Sequence, residues 1–121
     1  MTISLRQTLP SAWVQRFARL IPSGEVLDLA CGSGRHARLL AAYGHRVEAV
    51  DRDPQALAEL RQVPGVTPRQ SDLEGPVWPY TGRLFSGIVV TNYLFRPRID
   101  QLFACLADPG VLIYETFMRG N

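Results

Sequence analysis

Apolar residues recur at three- and four-residue intervals through Trp13, Val14, Phe17, Leu20 and Ile21, the period of a helix with one buried face. Pro10-Ser11 stands just ahead of this stretch and Pro22-Ser23-Gly24 just behind it, so residues 11–21 are predicted to form an amphipathic helix. The pattern then changes. Val26-Leu27-Asp28-Leu29-Ala30 is a short, nearly continuous apolar run, which fits a strand buried in a parallel sheet. Helical spacing returns over residues 35–43 through Ala37, Leu39, Leu40 and Tyr43, and Gly44 supplies a stop.

Arg46 to Val50 is a second predicted strand. Asp53-Pro54 opens the next helix as a cap followed by proline at the first helical position. Ala56, Leu57 and Leu60 form its apolar stripe, and Pro64-Gly65 ends it. Val66 to Gln70 is a third strand, placed at a sheet edge because Pro68 has no amide to donate to a ladder. Gly75 to Gly82, with Pro76 and Pro79, is a loop. Ser86 to Thr91 is a fourth strand, Arg98 to Ala107 a helix, and Val111 to Phe117 a fifth strand after a Pro109-Gly110 turn.

Strands alternating with helices imply right-handed crossovers and a mostly parallel sheet covered on both faces. The fold class expected is therefore α/β: a doubly wound, Rossmann-like three-layer sandwich of about five strands in the order 3-2-1-4-5. An α+β arrangement of hairpins fails because the strands lie too far apart in sequence for tight turns.

Composition narrows the class further. A chain of 121 residues makes one domain, and 46% hydrophobic with 20% charged residues supports a packed core rather than disorder. No apolar stretch approaches the roughly 18 residues that cross a bilayer. Met1 to Ser11 contains no apolar signal core, so a cytoplasmic location with no membrane partner is expected. All 13 basic residues are arginine, set against 11 acids, and they are scattered from Arg6 to Arg119 without a basic run. That distribution argues against a nucleic-acid surface. Cys31 and Cys105 form no CxxC and have no histidine at ligand spacing, so neither a disulfide framework nor a metal site is expected.

The chemistry is concentrated between Val26 and Ala37. A strand runs into Gly32-Ser33-Gly34 and then into a helix whose early residue is the small Ala37. Gly32 lets the chain turn sharply off the strand, Gly34 clears space where a ligand would lie against the backbone, and Ala37 permits close helix–sheet packing. Amides at the helix start add a positive field. Asp51 follows at the end of the second strand, where a carboxylate can accept both hydroxyls of a ribose. In this order, strand, GxG, helix, strand and terminal acid point to a nucleotide-type ligand.

Asp28 bears on which one. An anion inside the strand, just ahead of the glycines, would repel a pyrophosphate but suits a ligand with an ammonium group. S-adenosylmethionine carries one at its methionyl end, beside a cationic sulfonium. A role for Asp28 in bracing the loop is the alternative.

Leu27-Asp28-Leu29-Ala30-Cys31-Gly32-Ser33-Gly34 resembles the first motif of the class I S-adenosylmethionine-dependent methyltransferases, and Val47-Glu48-Ala49-Val50-Asp51 resembles their second. Gln70-Ser71-Asp72-Leu73 is similar to the third, and Ile88-Val89-Val90-Thr91-Asn92 to the fourth. Within that family the chain looks most like the small bacterial tellurite- and thiopurine-methyltransferase type. The resemblance implies that S-adenosylmethionine is the cofactor. Gly32 and Gly34 would lie under its methionyl and ribose portions, with Ala30 and Cys31 lending backbone groups and Asp28 orienting the methionyl end. Asp51 would take the ribose hydroxyls and Arg52 would flank the adenine. Asp72 and the Leu73 amide would hold the adenine edge, and Asn92 and Tyr93 would sit beside the methyl group.

No motif supplies a catalytic base. Tyr93 and Phe95 are candidates to face the sulfonium, a cation–π attraction of about 0.5–2 kcal/mol. His36 is expected to face solvent and His45 to sit in an ordinary turn, and neither is assigned a catalytic role. Thr91-Asn92-Tyr93-Leu94 lacks the paired prolines of enzymes that methylate nucleic-acid or glutamine amino groups, which favours a small-molecule acceptor.

The family's complete fold has seven strands, and this chain carries no material for the last two. The fifth strand is then expected to be an open edge, suited to self-association. Either the chain is a fragment of a longer enzyme, the favoured expectation, or it is a short form that buries this edge. Two other functions stay open: a non-catalytic cofactor-binding or oligomerising module, and a nicotinamide-dependent oxidoreductase domain.

Overall fold

In a computed structural model, which describes residues 10–93 and 95–115, the strands are β1 (Val26–Leu29), β2 (Val47–Asp51), β3 (Val66–Gln70), β4 (Phe85–Thr91) and β5 (Leu106–Glu115). They form one sheet in the order β3-β2-β1-β4-β5, and every pairing is parallel. The helices are α1 (Ala12–Ala18), α2 (Arg35–Ala42), α3 (Pro54–Ala58), which continues as a 3-10 turn over Glu59–Gln62, and α4 (Ile99–Ala104). The doubly wound fold and strand order expected from the sequence are those observed. β3 lies at an edge, with Pro68 opposite Ala49.

Local chemistry starts the helices where the sequence places them. The Ser11 hydroxyl accepts the Val14 amide at 3.0 Å to cap α1, and the Asp53 carboxylate accepts the Gln55 amide at 2.9 Å ahead of Pro54. Side chains alternate along each strand, so the sheet carries two cores. On one face Val26, Ala49 and Val89 meet Val14 and Ala18 of α1, Ala37 and Leu40 of α2, and Leu57 of α3. On the other face Leu27, Leu29, Ile88 and Val90 are covered by Leu102 of α4 and by Leu73, Trp78 and Tyr80 from the chain between β3 and β4.

Several boundaries move. The helix predicted for residues 11–21 ends at Ala18, so its 3.6-residue period does not extend to Leu20. The buried stripe is Val14, Ala18 and Ile21, while Trp13 and Leu20 are 46% and 63% exposed. β2 starts and ends one residue later than predicted, which takes Asp51 into the strand. α4 is shorter than expected, and β5 begins at Leu106, so Pro109-Gly110 lies within the strand instead of ahead of it. Phe85 pairs with Leu106 and Gly87 with Val111, so the extra residues of β5 bulge out of the ladder. Thr116 and Phe117, the last residues of the predicted fifth strand, lie outside the described residues.

The expected loop at 75–82 is indeed turns and coil, but it is not a surface feature. Trp78 and Tyr80 are buried, and Tyr80 packs edge-on against Trp78 and Phe85 with ring centres 5.7 and 5.6 Å away. The Trp78 indole N–H donates to Cys105 Sγ at 3.4 Å. The Arg98 guanidinium donates to the Leu73 carbonyl at 3.2 Å and to that of Gly75. This loop therefore does the covering that a longer helix would do elsewhere.

Candidate functional site

β1 and β4 pair side by side as far as Leu29 and Val90. Beyond that point they part. The Cys31 amide turns to the Val50 carbonyl on β2 at 2.9 Å, and the Asn92 amide turns to the Glu115 carbonyl on β5 at 2.8 Å. A crevice opens at this reversal of strand order, the place where open α/β sheets take ligands. It is a cleft of about 330 Å3 lined by Ala30, Asp51, Arg52, Ser71, Asp72, Leu73, Glu74, Asn92 and Tyr93.

The sequence anticipated Ala30, Asp51, Arg52, Asp72, Leu73, Asn92 and Tyr93 for this site, and the fold brings them together on one cleft from four strand ends. Ser71 and Glu74 also line it. Ser71 lies inside the segment that resembles the third motif, and Glu74 directly follows it, so extending that motif by one residue would have found both. Asp28, Cys31, Gly32 and Gly34 do not line the cleft; Cys31, Gly32 and Gly34 build the bend behind its wall, and Asp28 lies in β1 just ahead of it. Phe95 lies on a neighbouring apolar cavity rather than in the cleft.

The bend is made by left-handed residues: Ala30 at φ 55°, Gly32 at 56° and Gly34 at 85°. Gly32 turns the chain as expected, but the open space expected at Gly34 lies at Gly32 instead. A Cβ at Gly34 would land 2.4 Å from Leu60 Cδ2, whereas one at Gly32 would meet nothing within 4 Å. Gly34 is glycine because the helix following the bend packs onto Leu60, and Gly32 is the position with open space beside the backbone.

Asp51 ties this bend to β2. Its Oδ2 accepts the Gly32 amide at 2.9 Å and its Oδ1 accepts the Asp53 amide at 2.9 Å. Each oxygen keeps a second lone pair for a ligand hydroxyl. Asp72 is held similarly, with Oδ1 accepting the Glu74 amide at 3.0 Å. The Tyr93 hydroxyl donates to Glu74 Oε2 at 3.2 Å, and the Tyr114 hydroxyl donates to the Tyr93 carbonyl at 3.0 Å. Burial first, and then the neighbouring Glu74 carboxylate, push the Tyr93 phenol up to about 12. It stays a neutral donor.

Asp28 is the outlier. It is 1% exposed, it projects from β1 on the side of Val26 and Ala37, and neither carboxylate oxygen has a hydrogen-bond partner. Burial pushes its pKa up to about 7, against the pull of the nearby Ala37 amide and the Arg35 charge. Cys31 has its thiol pushed up by burial and by the charges of Asp28 and Asp51. A thiol so disposed is not a nucleophile.

His36 does not face solvent as expected. It is 3% exposed, accepts the Ser11 amide on Nε2 at 3.0 Å, and has Nδ1 3.4 Å from the Thr91 hydroxyl. No local pattern signals this burial, because the covering Ser11 and Thr91 are remote in the chain. His45 does sit in a turn, with Nδ1 3.1 Å from the Gly24 carbonyl.

A parallel doubly wound sheet with a ligand crevice at its switch point, a braced glycine bend on one wall and an acid at the end of β2 defines a nucleotide-binding α/β domain. The comparisons with known proteins specify it. Residues 26–108 match the family described as "Methyltransferase domain", so the chain belongs to that family. It is 37% identical over 99 residues to a protein-L-isoaspartate O-methyltransferase of Chlorobaculum tepidum, an alignment covering 77% of this chain and 45% of that protein. A TehB-like SAM-dependent methyltransferase from Corynebacterium glutamicum superposes with a TM-score of 0.68 at 23% identity, covering 83% of this chain and 60% of the other. The DhpI–SAH complex does so with 0.67 at 24%, covering 86% and 54%. The fold is thus that of the class I SAM-dependent methyltransferases, with a shortened sheet. The chain spans about half the length, or less, of the curated relatives it matches. Among the described residues, no helix is long and apolar enough to cross a membrane.

Proposed function

We propose that this chain binds S-adenosylmethionine in the β1–β4 cleft and transfers its methyl group to a small-molecule acceptor. The observation that carries the reading is Asp28, a buried carboxylate with no hydrogen-bond partner, set in β1 just ahead of the glycine bend. Leaving such a group unpaired costs about 1–3 kcal/mol or more, a cost that a cationic ligand group in the cleft would offset in part through the bend that separates them, since Asp28 does not itself line the cleft. The methionyl ammonium is such a group. A pyrophosphate is not, which counts against a nicotinamide cofactor.

The other residues fit the same ligand. Asp51 has lone pairs left for the ribose hydroxyls, the space beside Gly32 admits the ligand's chain, and Ala30 and Cys31 contribute backbone groups from the bend. Gly34 serves indirectly, by letting α2 approach α3. Arg52, Asp72 and the Leu73 amide take the adenine, while Asn92 and Tyr93 stand at the methyl end. When bound, the cofactor supplies a methyl group on a sulfonium. The protein's part is alignment of the acceptor in line with that bond, which accounts for much of the rate in such displacements.

The rim favours an uncharged or cationic small acceptor. Asp51, Asp72 and Glu74 against Arg52 give the cleft an acidic mouth, which repels a phosphate backbone. Self-association through the outer side of β5 and a cytoplasmic location complete the proposal. Light scattering tests the former: a monomer across the micromolar range would remove it.

Calorimetry with S-adenosylhomocysteine on the 121-residue chain tests the reading as a whole. Saturable one-to-one binding, with none of NADH, supports it. NADH binding with no response to S-adenosylhomocysteine would replace it with the oxidoreductase.

A further inference from the structure

We infer that His36 is a positioning residue for this site: a neutral imidazole that holds the glycine-bend wall of the cleft in register with the β4 wall. The inference rests on the methyl-transfer reading. It begins from the divergence of β1 and β4. Past Leu29 and Val90 the backbone bonds of the two walls run apart, one toward β2 and the other toward β5. His36 sits in the first turn of α2, directly after the bend, and its Nδ1 lies 3.4 Å from the hydroxyl of Thr91, the last residue of β4. That contact is long for a hydrogen bond, yet it reconnects the walls where the ladder no longer does. The next residue, Asn92, lines the cleft at φ 56°, a strained conformation for a non-glycine residue that its surroundings have to hold.

The ring's second nitrogen fixes its chemistry. Nε2 accepts the Ser11 amide at 3.0 Å, so the proton must reside on Nδ1, pointing at Thr91. A cationic ring would lose the Ser11 bond. The groups facing the ring are Ser11 from the start of α1, Thr91 from β4 and the Arg35 charge from its own helix. Burial first and then Arg35 hold it neutral. One side chain therefore clamps the N-cap of α1, the glycine-bend helix and the end of β4.

Two substitutions separate the two bonds. His36→Gln keeps an acceptor near the Nε2 position and so keeps Ser11; His36→Ala keeps neither bond. Calorimetry with S-adenosylhomocysteine should show His36→Gln, which loses the Thr91 contact, and His36→Ala both binding about tenfold more weakly than wild type, with both folded by circular dichroism and only His36→Ala losing the Ser11 bond. Long-range 1H–15N spectra of the wild type should show the Nδ1–H tautomer unchanged between pH 5.5 and 8. Wild-type affinity in a folded His36→Ala, or a ring titrating near 6.5, overturns the role of His36 alone. Failure of the wild type to bind S-adenosylhomocysteine overturns the cofactor reading, and this role in the cleft with it.

Discussion

The Gly32 amide donates to Asp51 Oδ2 across 2.9 Å, joining the turn that leaves β1 to the last residue of β2. The same carboxylate holds the Asp53 amide ahead of α3, so one side chain braces two loops and faces the cleft. Asp51→Ala should weaken S-adenosylhomocysteine binding by about 1–3 kcal/mol, from the lost ribose contacts and the released bend. Calorimetry checks this, and unchanged affinity would mean that another group takes the ribose.

Asp28 makes stability and binding depend on pH in opposite directions. Its pKa stands near 7 in the folded protein, above the ordinary carboxyl value of 3.8. The folded form therefore holds a proton that the unfolded chain releases. Its stabilising effect is complete below about pH 4 and is lost as pH rises through about 7. A ligand that places an ammonium against Asp28 favours the ionised form, so S-adenosylhomocysteine should bind up to about tenfold more tightly at pH 8 than at pH 6. His36, held down to about 4, stays neutral across that range. Titration calorimetry at the two pH values reads the effect, and Asp28→Asn should abolish it.

The two glycines of the bend should respond differently to alanine. At Gly34 the new methyl would collide with Leu60, which is fully buried, at a positive φ. Urea denaturation should show a loss of about 2–4 kcal/mol. At Gly32 the methyl meets open space, so the loss of stability should be about 1 kcal/mol, with the larger effect on S-adenosylhomocysteine affinity. Equal stability losses would contradict this division of roles.

Far from the cleft, near the start of the strands, Arg83 bonds Glu25 at 2.7 Å and the buried Glu48 at 3.4 Å. Arg69 Nη1 approaches the other Glu48 oxygen at 3.6 Å. Arg83→Ala should cost about 1–2 kcal/mol in urea denaturation. That is below the loss for a fully buried pair, because the Arg83 side chain is 37% exposed and water screens it. Binding of S-adenosylhomocysteine should not change, which makes this variant a control for the others.

The elements of the fold were legible because their signals are local. Ser11 and Asp53-Pro54 announce helix starts, Pro68 demotes β3 to the edge, and the apolar runs at Val26 and Ile88 mark central strands. Errors arose where tertiary packing overrides periodicity. Leu20 keeps the helical spacing but follows the end of α1, and residues 106–110 are drawn into β5 by the edge of β4. Trp78 and Tyr80, in a proline-rich loop, are buried because, among the described residues, the short α4 is the one helix over the second face of the sheet.

The sequence by itself determined the order of strands and helices, the glycine bend, and the acids that follow β2 and β3, since turn geometry and hydrophobic period are written in neighbouring residues. Only the tertiary structure decided which of those residues face the cleft and which stand behind it. It set Gly34 against Leu60, left Asp28 without a partner and enclosed His36 between Ser11 and Thr91. Those outcomes depend on contacts between segments far apart in the chain, and no local pattern encodes the distance at which two such segments meet.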